Sequence, residues 1–282
     1  MSHMTDNALA EEAAAFDRQI EERIANGHIP DLRRCGPCDW FYNNPWRRPA
    51  YVALDFGEQF ELIRDAIVAH APVTVGPRRV LEVGCGPGYL SLELARSGFD
   101  VTALDLSPRC IEIARRFAAE DPFAAKRGAL SHLAADFFTS AELRAGSFDA
   151  IVFLGALHHF PDQGQTLRRV SELLAPRGIV LAHEPVRDRV TRGNAVFVHL
   201  LRVLLSIQGG FFKRHAIPAS DASREQEFQH LFNEMRYETD DGEKLQSVND
   251  NEAGYAEMQP ALDAQFDRLD FSWRYAFFHE FI

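Results

Sequence analysis

The run Val80-Leu-Glu82-Val-Gly84-Cys-Gly86-Pro-Gly88 passes from apolar residues through a carboxylate into three alternating glycines. An apolar run this short, closed by glycine, predicts a buried strand that breaks into a loop and then opens a helix. Glycines at the break permit positive φ and let backbone approach a ligand closely, while the helix N-terminus offers unpaired N–H groups to an anionic group. The same grammar continues outward. Short apolar runs at 101–104, 130–134, 150–154 and 179–182 alternate with helical patterns over 89–97, 108–119 and 163–174. That alternation predicts βαβ units and an α/β fold whose parallel sheet is covered on both faces.

Asp105 ends the second run, 17 residues beyond Gly88. A carboxylate there can accept hydrogen bonds from both hydroxyls of a ribose, so a bound nucleoside is the economical reading. Dinucleotide oxidoreductases share both features. Gly-x-Gly-x-Gly, with Glu82 ahead of it and Pro87 inside it, nevertheless departs from the Gly-x-Gly-x-x-Gly fingerprint of NAD enzymes. A third acid, Asp136, follows the third run with Phe137 beside it, suited to hydrogen-bond the amine of adenine and to pack on its ring. Phe148-Asp-Ala-Ile-Val-Phe-Leu154-Gly-Ala-Leu-His158-His159-Phe160 then precedes a helix, and Leu173-Leu-Ala-Pro-Arg-Gly178-Ile-Val-Leu follows it.

Across about 80–184 these motifs resemble the class I S-adenosylmethionine-dependent methyltransferases, in particular the small-molecule group with Leu-His-His after strand four. The resemblance implies a Rossmann-like fold: a mostly parallel, doubly wound sheet with an N-terminal helical cap and a helical insertion after strand five. It implies S-adenosyl-L-methionine as cofactor. Gly84, Cys85, Gly86 and Gly88 would lie against its methionine portion, with Glu82 supporting the amino end. Asp105 and Leu106 would hold the ribose, Asp136 and Phe137 the adenine, and Leu154 would line the cofactor floor. The implied activity is methylation of a small molecule, with oxygen the favoured acceptor atom. Nitrogen or carbon acceptors, an NAD-dependent oxidoreductase, and a cofactor-binding protein without catalysis or with non-methylating chemistry are the rival readings. The family sheet closes with a sixth strand and an antiparallel seventh, whereas only 267–282 remain here after Phe266. One strand fits that length; a hairpin would be cramped.

Enzymes of the family that methylate exocyclic base nitrogens or glutamine amides carry an Asn/Asp-Pro-Pro-aromatic segment after strand four, where this chain has Leu154-Gly-Ala-Leu. Catechol-type members place a metal-binding Asp at that strand end. Leu154 and Gly155 offer no hard oxygen ligand, so the expectation is metal-independent transfer with no metal ligands. Displacement at a sulfonium chiefly needs the reactants held collinear. An oxygen acceptor of high pKa also needs a base, and His158 and His159 are the nearest histidines, with His159 preferred. A scaffold role is their alternative, because the pair recurs in relatives with unlike substrates.

Open α/β sheets bind ligands beyond the carboxyl ends of their strands and need a cover. Candidates are Trp40, Tyr42, Trp46, Arg47 and Arg48 in the first flank, and Phe197, His199, Arg202, Phe211, Phe212 and His215 in the second. Aromatics there suit an apolar or ring-containing acceptor, and the two arginines suit a carboxylate or phosphate. Ordinary packing is the competing account of each. Cys35-Gly-Pro-Cys38 matches a redox frame, but no strand leads into it and no helix follows to lower a thiol pKa.

Leu9, Ala13, Phe16, Ile20 and Ile24 recur at helical spacing ahead of a Pro- and aromatic-rich loop. Further helical patterns cover 51–70, 196–207, 225–235 and 251–266. The expected division is 1–4 as a remnant of an expression tag, 5–72 as cap and aromatic loop, 73–186 as cofactor-binding core, 187–265 as covering insertion, and 266–282 as C-terminal strand or strands. The chain has 282 residues, 46% hydrophobic and 25% charged, and a net charge of −11. Its acidity disfavours nucleic acid and anionic membranes as partners. The longest apolar run, 195–207, is interrupted by His199 and Arg202 and is too short to cross a bilayer. With four cysteines, a disulfide framework is not expected and a reducing compartment, the cytoplasm, is.

Overall fold

The glycine-terminated run forms β1 (Arg79–Val83), the middle strand of a five-stranded sheet ordered β3-β2-β1-β4-β5. β2 (Asp100–Asp105) and β4 (Phe148–Leu154) flank β1, and β3 (Leu130–Ala134) and β5 (Leu174–His183) lie outside them. All four pairings are parallel, as the continuous apolar runs require. The computed structural model describes residues 6–29, 36–37, 57–73, 75–210, 218–245, 247, 249–250 and 252–274.

Side-chain alternation divides the core between the two sheet faces. Val80, Ala150 and Val152 pack on one side with α2 (Glu58–His70) and α3 (Tyr89–Arg96). Leu81, Val83, Ile151 and Phe153 pack on the other with α5 (Gln163–Leu173) and α8 (Tyr255–Gln265). Glu82 follows the parity of Val80, which carries a carboxylate into a face otherwise filled by hydrocarbon.

Local chemistry fixes the helix starts. Ser107 caps α4 (Pro108–Ala119) by accepting from Cys110 N, with Pro108 pre-set at the first helical position. Asp162 caps α5 through Gln165 N, and Thr191 with Asn194 forms a capping box on α6 (Arg192–Ile207). α6 packs on α7 (Asp221–Arg236) through Ala195, Val198, Leu231 and Met235. The helix expected over 251–266 begins at Tyr255 because Asp188 accepts from Tyr255 N and Ala256 N, at 2.8 and 3.2 Å. α1 (Asp6–Ala25) is pinned to the N-terminus of α4, where Asp17 accepts from Ser107 Oγ and from Arg109 N at 3.1 Å. A carboxylate is favoured there by the helix dipole.

The expected C-terminal strand is not formed by 266–274. Phe271 and Trp273 there turn onto Tyr255, at 6.2 and 5.0 Å between ring centroids, and 275–282, the rest of the expected strand segment, lie outside the described residues. No helix among the described residues is long and apolar enough to cross a membrane.

Candidate active site

A cavity of about 470 Å³ opens at the carboxyl ends of the strands. The chain leaves β1 toward β2 and β3 and resumes at β4 on the other side, so the segments after β1 and β4 diverge and leave a crevice between them. Gly84, Gly86 and Pro87 line it after β1, Asp105 and Leu106 at the end of β2, Asp136 to Thr139 after β3, and Gly155, Ala156 and His159 after β4. α1 contributes Leu9, Glu12, Phe16, Gln19, Ile20 and Arg23. A smaller cavity of about 130 Å³ shares Gly84 and Gly86 with the first, and is lined also by Glu82, Cys85, Tyr89 and Leu154.

Gly86 has φ +51° and nothing within 4 Å of where a Cβ would sit, so the backbone faces open space there. Gly88, expected against the methionine portion, is placed differently. It lines neither cavity, and a Cβ on it would meet Ala114 Cβ at 2.7 Å, so its size serves the packing of the loop on α4. Cys85 is a buried thiol packed with Ala103 and Ile111, and burial pushes its pKa well up.

Asp105 accepts from Gly86 N at 2.7 Å and Ser107 N at 2.8 Å, tying β2 to the glycine loop. Burial holds its carboxyl above the usual range despite these two donors. Glu82 is 3% exposed, and burial pushes its carboxyl up to about 8 against the lowering pull of Ser91. Its Oε2 is buried with no hydrogen-bond partner among the described residues. Asp136 Oδ1 accepts from Phe138 N and Thr139 N, at 3.1 and 2.9 Å. Phe137 reaches the cavity wall but is 2% exposed, edge-to-face with Phe138, Phe153 and Phe160. The ring expected to pack on a base is thus mostly committed to the core, and Phe138 is the half-buried neighbour at the cavity.

The two histidines lie side by side on a single turn after β4, ring centroids 4.2 Å apart, and take different Nδ1 partners. His158 points inward, with Nδ1 2.7 Å from Glu184 Oε2 and Nε2 3.5 Å from Asp250 Oδ1. Glu184 also accepts from Ala156 N and Leu157 N, and Asp250 accepts from Arg187 at 3.0 Å. Burial would lower the His158 pKa, but the Asp250 and Glu184 carboxylates outweigh it and hold the imidazole above its ordinary value. His158, the other expected base, does not line the cavity and ties three loops together through Glu184 and Asp250.

His159 lines the cavity, with Nδ1 3.0 Å from Glu12 Oε1 and its ring edge-on to Phe16. Glu12 also accepts from Ser247 Oγ at 2.8 Å and Asn249 Nδ2 at 3.0 Å. Burial would raise its carboxyl, yet the bonds from His159 and Ser247 keep it below the ordinary value. Sequence reasoning passed over Glu12. It stands three residues after Leu9 and four before Phe16, a carboxylate on the apolar stripe of α1, and that misplacement was the available signal.

Neither Phe197 nor His199 lines the cavity. Phe197 is 48% exposed on α6, and His199 is buried against Phe228 of α7. Trp40, Tyr42, Trp46, Arg47, Arg48 and Phe211 lie outside the described residues, as do Cys35 and Cys38.

A parallel sheet with a glycine loop at its switch point, followed by acids at the ends of successive strands, defines a nucleoside-binding α/β protein. A family model described as a methyltransferase domain matches residues 56–252, and the chain belongs to that family, the class I S-adenosylmethionine-dependent methyltransferases. Its cofactor is S-adenosyl-L-methionine. The ubiquinone biosynthesis O-methyltransferase of Xanthomonas axonopodis pv. citri is 39% identical over 102 residues, covering 36% of this chain and 40% of that protein. The protein of the same name from Methylocella silvestris is 32% identical over 177 residues, covering 61% of this chain and 62% of that one. The chain thus spans between two fifths and about three fifths of the length of these relatives. Magnesium protoporphyrin IX methyltransferase from Synechocystis, solved with bound S-adenosylmethionine, aligns over 62% of this chain and 74% of its own at 20% identity and a TM-score of 0.43.

Proposed function

We propose that this chain methylates an oxygen of a small, largely apolar molecule, with His159 receiving the acceptor's proton. The observation that carries the reading is the placement of His159. It lines the same cavity as Gly86, Asp105 and Asp136, and its Nδ1 is held by Glu12.

The residues present fit the cofactor. Gly86 leaves room for its methionine portion beside Gly84, the orphaned Glu82 Oε2 suits its ammonium, Asp105 and Leu106 its ribose, and Asp136 with Phe138 its adenine. Bound S-adenosylmethionine supplies a methyl carbon on a sulfonium, whose sulfur leaves as a thioether with the bonding electron pair. The protein's part is to hold an acceptor in line and to take its proton. Glu12 fixes His159 with its proton on Nδ1, which leaves the Nε2 lone pair to accept. Leu9, Phe16, Ile20, Phe138 and Phe160 give the cavity an apolar lining suited to a ring or hydrocarbon acceptor.

In this reading residues 73–186 hold the cofactor and 5–72 supply the cover through α1. The two curated relatives are named as O-methyltransferases, which favours oxygen over nitrogen or carbon. The test is incubation with methyl-labelled cofactor and a panel of phenols, carboxylates, amines and cell metabolites, read by mass spectrometry. Label on a hydroxyl oxygen is expected. Label confined to nitrogen or carbon, or release of S-adenosylhomocysteine with no labelled product, would overturn the assignment.

A further inference from the structure

Proton transfer uses one of the two histidines and leaves a cluster around both unexplained. His158, His159 and Asp250 each offer one ligand-type atom, and these atoms lie within 4.8 Å of one another. His158 Nε2, His159 Nε2 and Asp250 Oδ2 are all buried without a hydrogen-bond partner among the described residues. Buried polar atoms are nearly always paired, so three such atoms on three clustered side chains mark a place built for something else.

The surroundings of each imidazole strengthen this. Glu184 sits on Nδ1 of His158 and Glu12 on Nδ1 of His159, and both carboxylates are themselves fixed by further donors. A carboxylate on Nδ1 is the arrangement that orients histidines around a metal ion; the proton that His158 Nε2 turns toward Asp250, 3.5 Å away, would leave as the ion binds. Charge agrees. Glu12, Glu184 and Asp250 bring three negative charges against the single positive charge of Arg187, 3.0 Å from Asp250. The remaining two are balanced either by protonating both imidazoles or by one dication with both imidazoles neutral.

We propose that His158, His159 and Asp250 bind one divalent transition-metal ion, with Zn²⁺ the best match to two nitrogens and one oxygen, and that the ion blocks methyl transfer by occupying His159 Nε2. The inhibitory half rests on the proposed role of His159; binding of the ion does not. Leu154 and Gly155, on which metal-independent transfer was expected, offer no ligand. The cluster draws instead on the next turn and on distant Asp250, so the ion would be an inhibitor rather than a participant.

The test uses the full chain stripped with chelator. Zn²⁺ uptake is followed by calorimetry and elemental analysis, and Co²⁺ by its visible absorption, which reports ligand geometry without any variant. One ion per chain is expected, bound at least about tenfold more weakly by Asp250→Asn and by His158→Gln, with methyl transfer falling as the site fills. No uptake at micromolar Zn²⁺, or equal uptake by Asp250→Asn, overturns the metal site and leaves the base assignment standing. Stoichiometric uptake with undiminished transfer overturns the inhibitory step and, with it, His159 as the base.

Discussion

Glu82→Gln isolates the chemistry of the glycine loop in a form that stability measurements can read. Glu82 sits in the central strand between β2 and β4, is buried, and has one oxygen without a partner. Its carboxyl is displaced from 4.5 to about 8. At about 1.4 kcal/mol per tenfold change in proton affinity, ionising it costs the folded chain about 5 kcal/mol. Below pH 4.5 folded and unfolded chains both keep the proton. Between there and about 8 only the folded chain keeps it, so stability falls by about 1.4 kcal/mol per pH unit until the folded group also ionises. Glutamine cannot ionise and removes that slope. Urea unfolding of the cofactor-free protein should therefore show E82Q gaining about 4 kcal/mol on the wild type between about pH 5 and about pH 8. The cofactor should reverse the sign of the effect. Near about pH 6.5 its amino group is protonated, so pairing with Glu82 expels the carboxyl proton from the wild type. Calorimetry in buffers of different ionisation enthalpy should detect about one proton released, and none in E82Q, which binds more weakly. Parallel stability curves, together with equal proton release, would refute the reasoning and reduce Glu82 to a packing residue.

Asp105→Ala removes a buried acceptor of two N–H bonds and should weaken cofactor affinity by about 1.5–3 kcal/mol, or roughly 10–150-fold, in equilibrium binding. Undiminished affinity would remove it from the ribose site. His159→Ala should lower kcat by about 10²–10⁴ with cofactor Kd retained. Glu12→Gln should lower kcat less, because it acts through the imidazole it orients. Full activity in either would end the dyad assignment. Gly88→Ala should cost about 1–3 kcal/mol in urea unfolding, since a Cβ there meets Ala114 at 2.7 Å and φ is +77°. It should change cofactor affinity much less than Gly86→Ala, whose added methyl fills the open space at the loop.

The strands, their parallel order and the glycine loop were legible in the sequence because each is a local decision. An apolar run bounded by glycine can be buried in few ways, and the acids at 105 and 136 stand at the ends of strands whatever packs on them. The sequence alone also placed two histidines beyond β4 without showing that, side by side, they take different partners. That was decided by what waits on each side: Glu184 and Asp250 draw His158 inward, while Glu12, from a helix at the far end of the chain, holds His159 at the cavity. The cover was likewise a tertiary decision. Aromatic composition pointed to Phe197 and His199, but a helix buries the face its partners offer: His199 meets Phe228 of α7, and among the described residues α1 is the helix of the N-terminal flank that lines the cavity. Periodicity announces that a helix has a buried side; only long-range packing determines what that side meets.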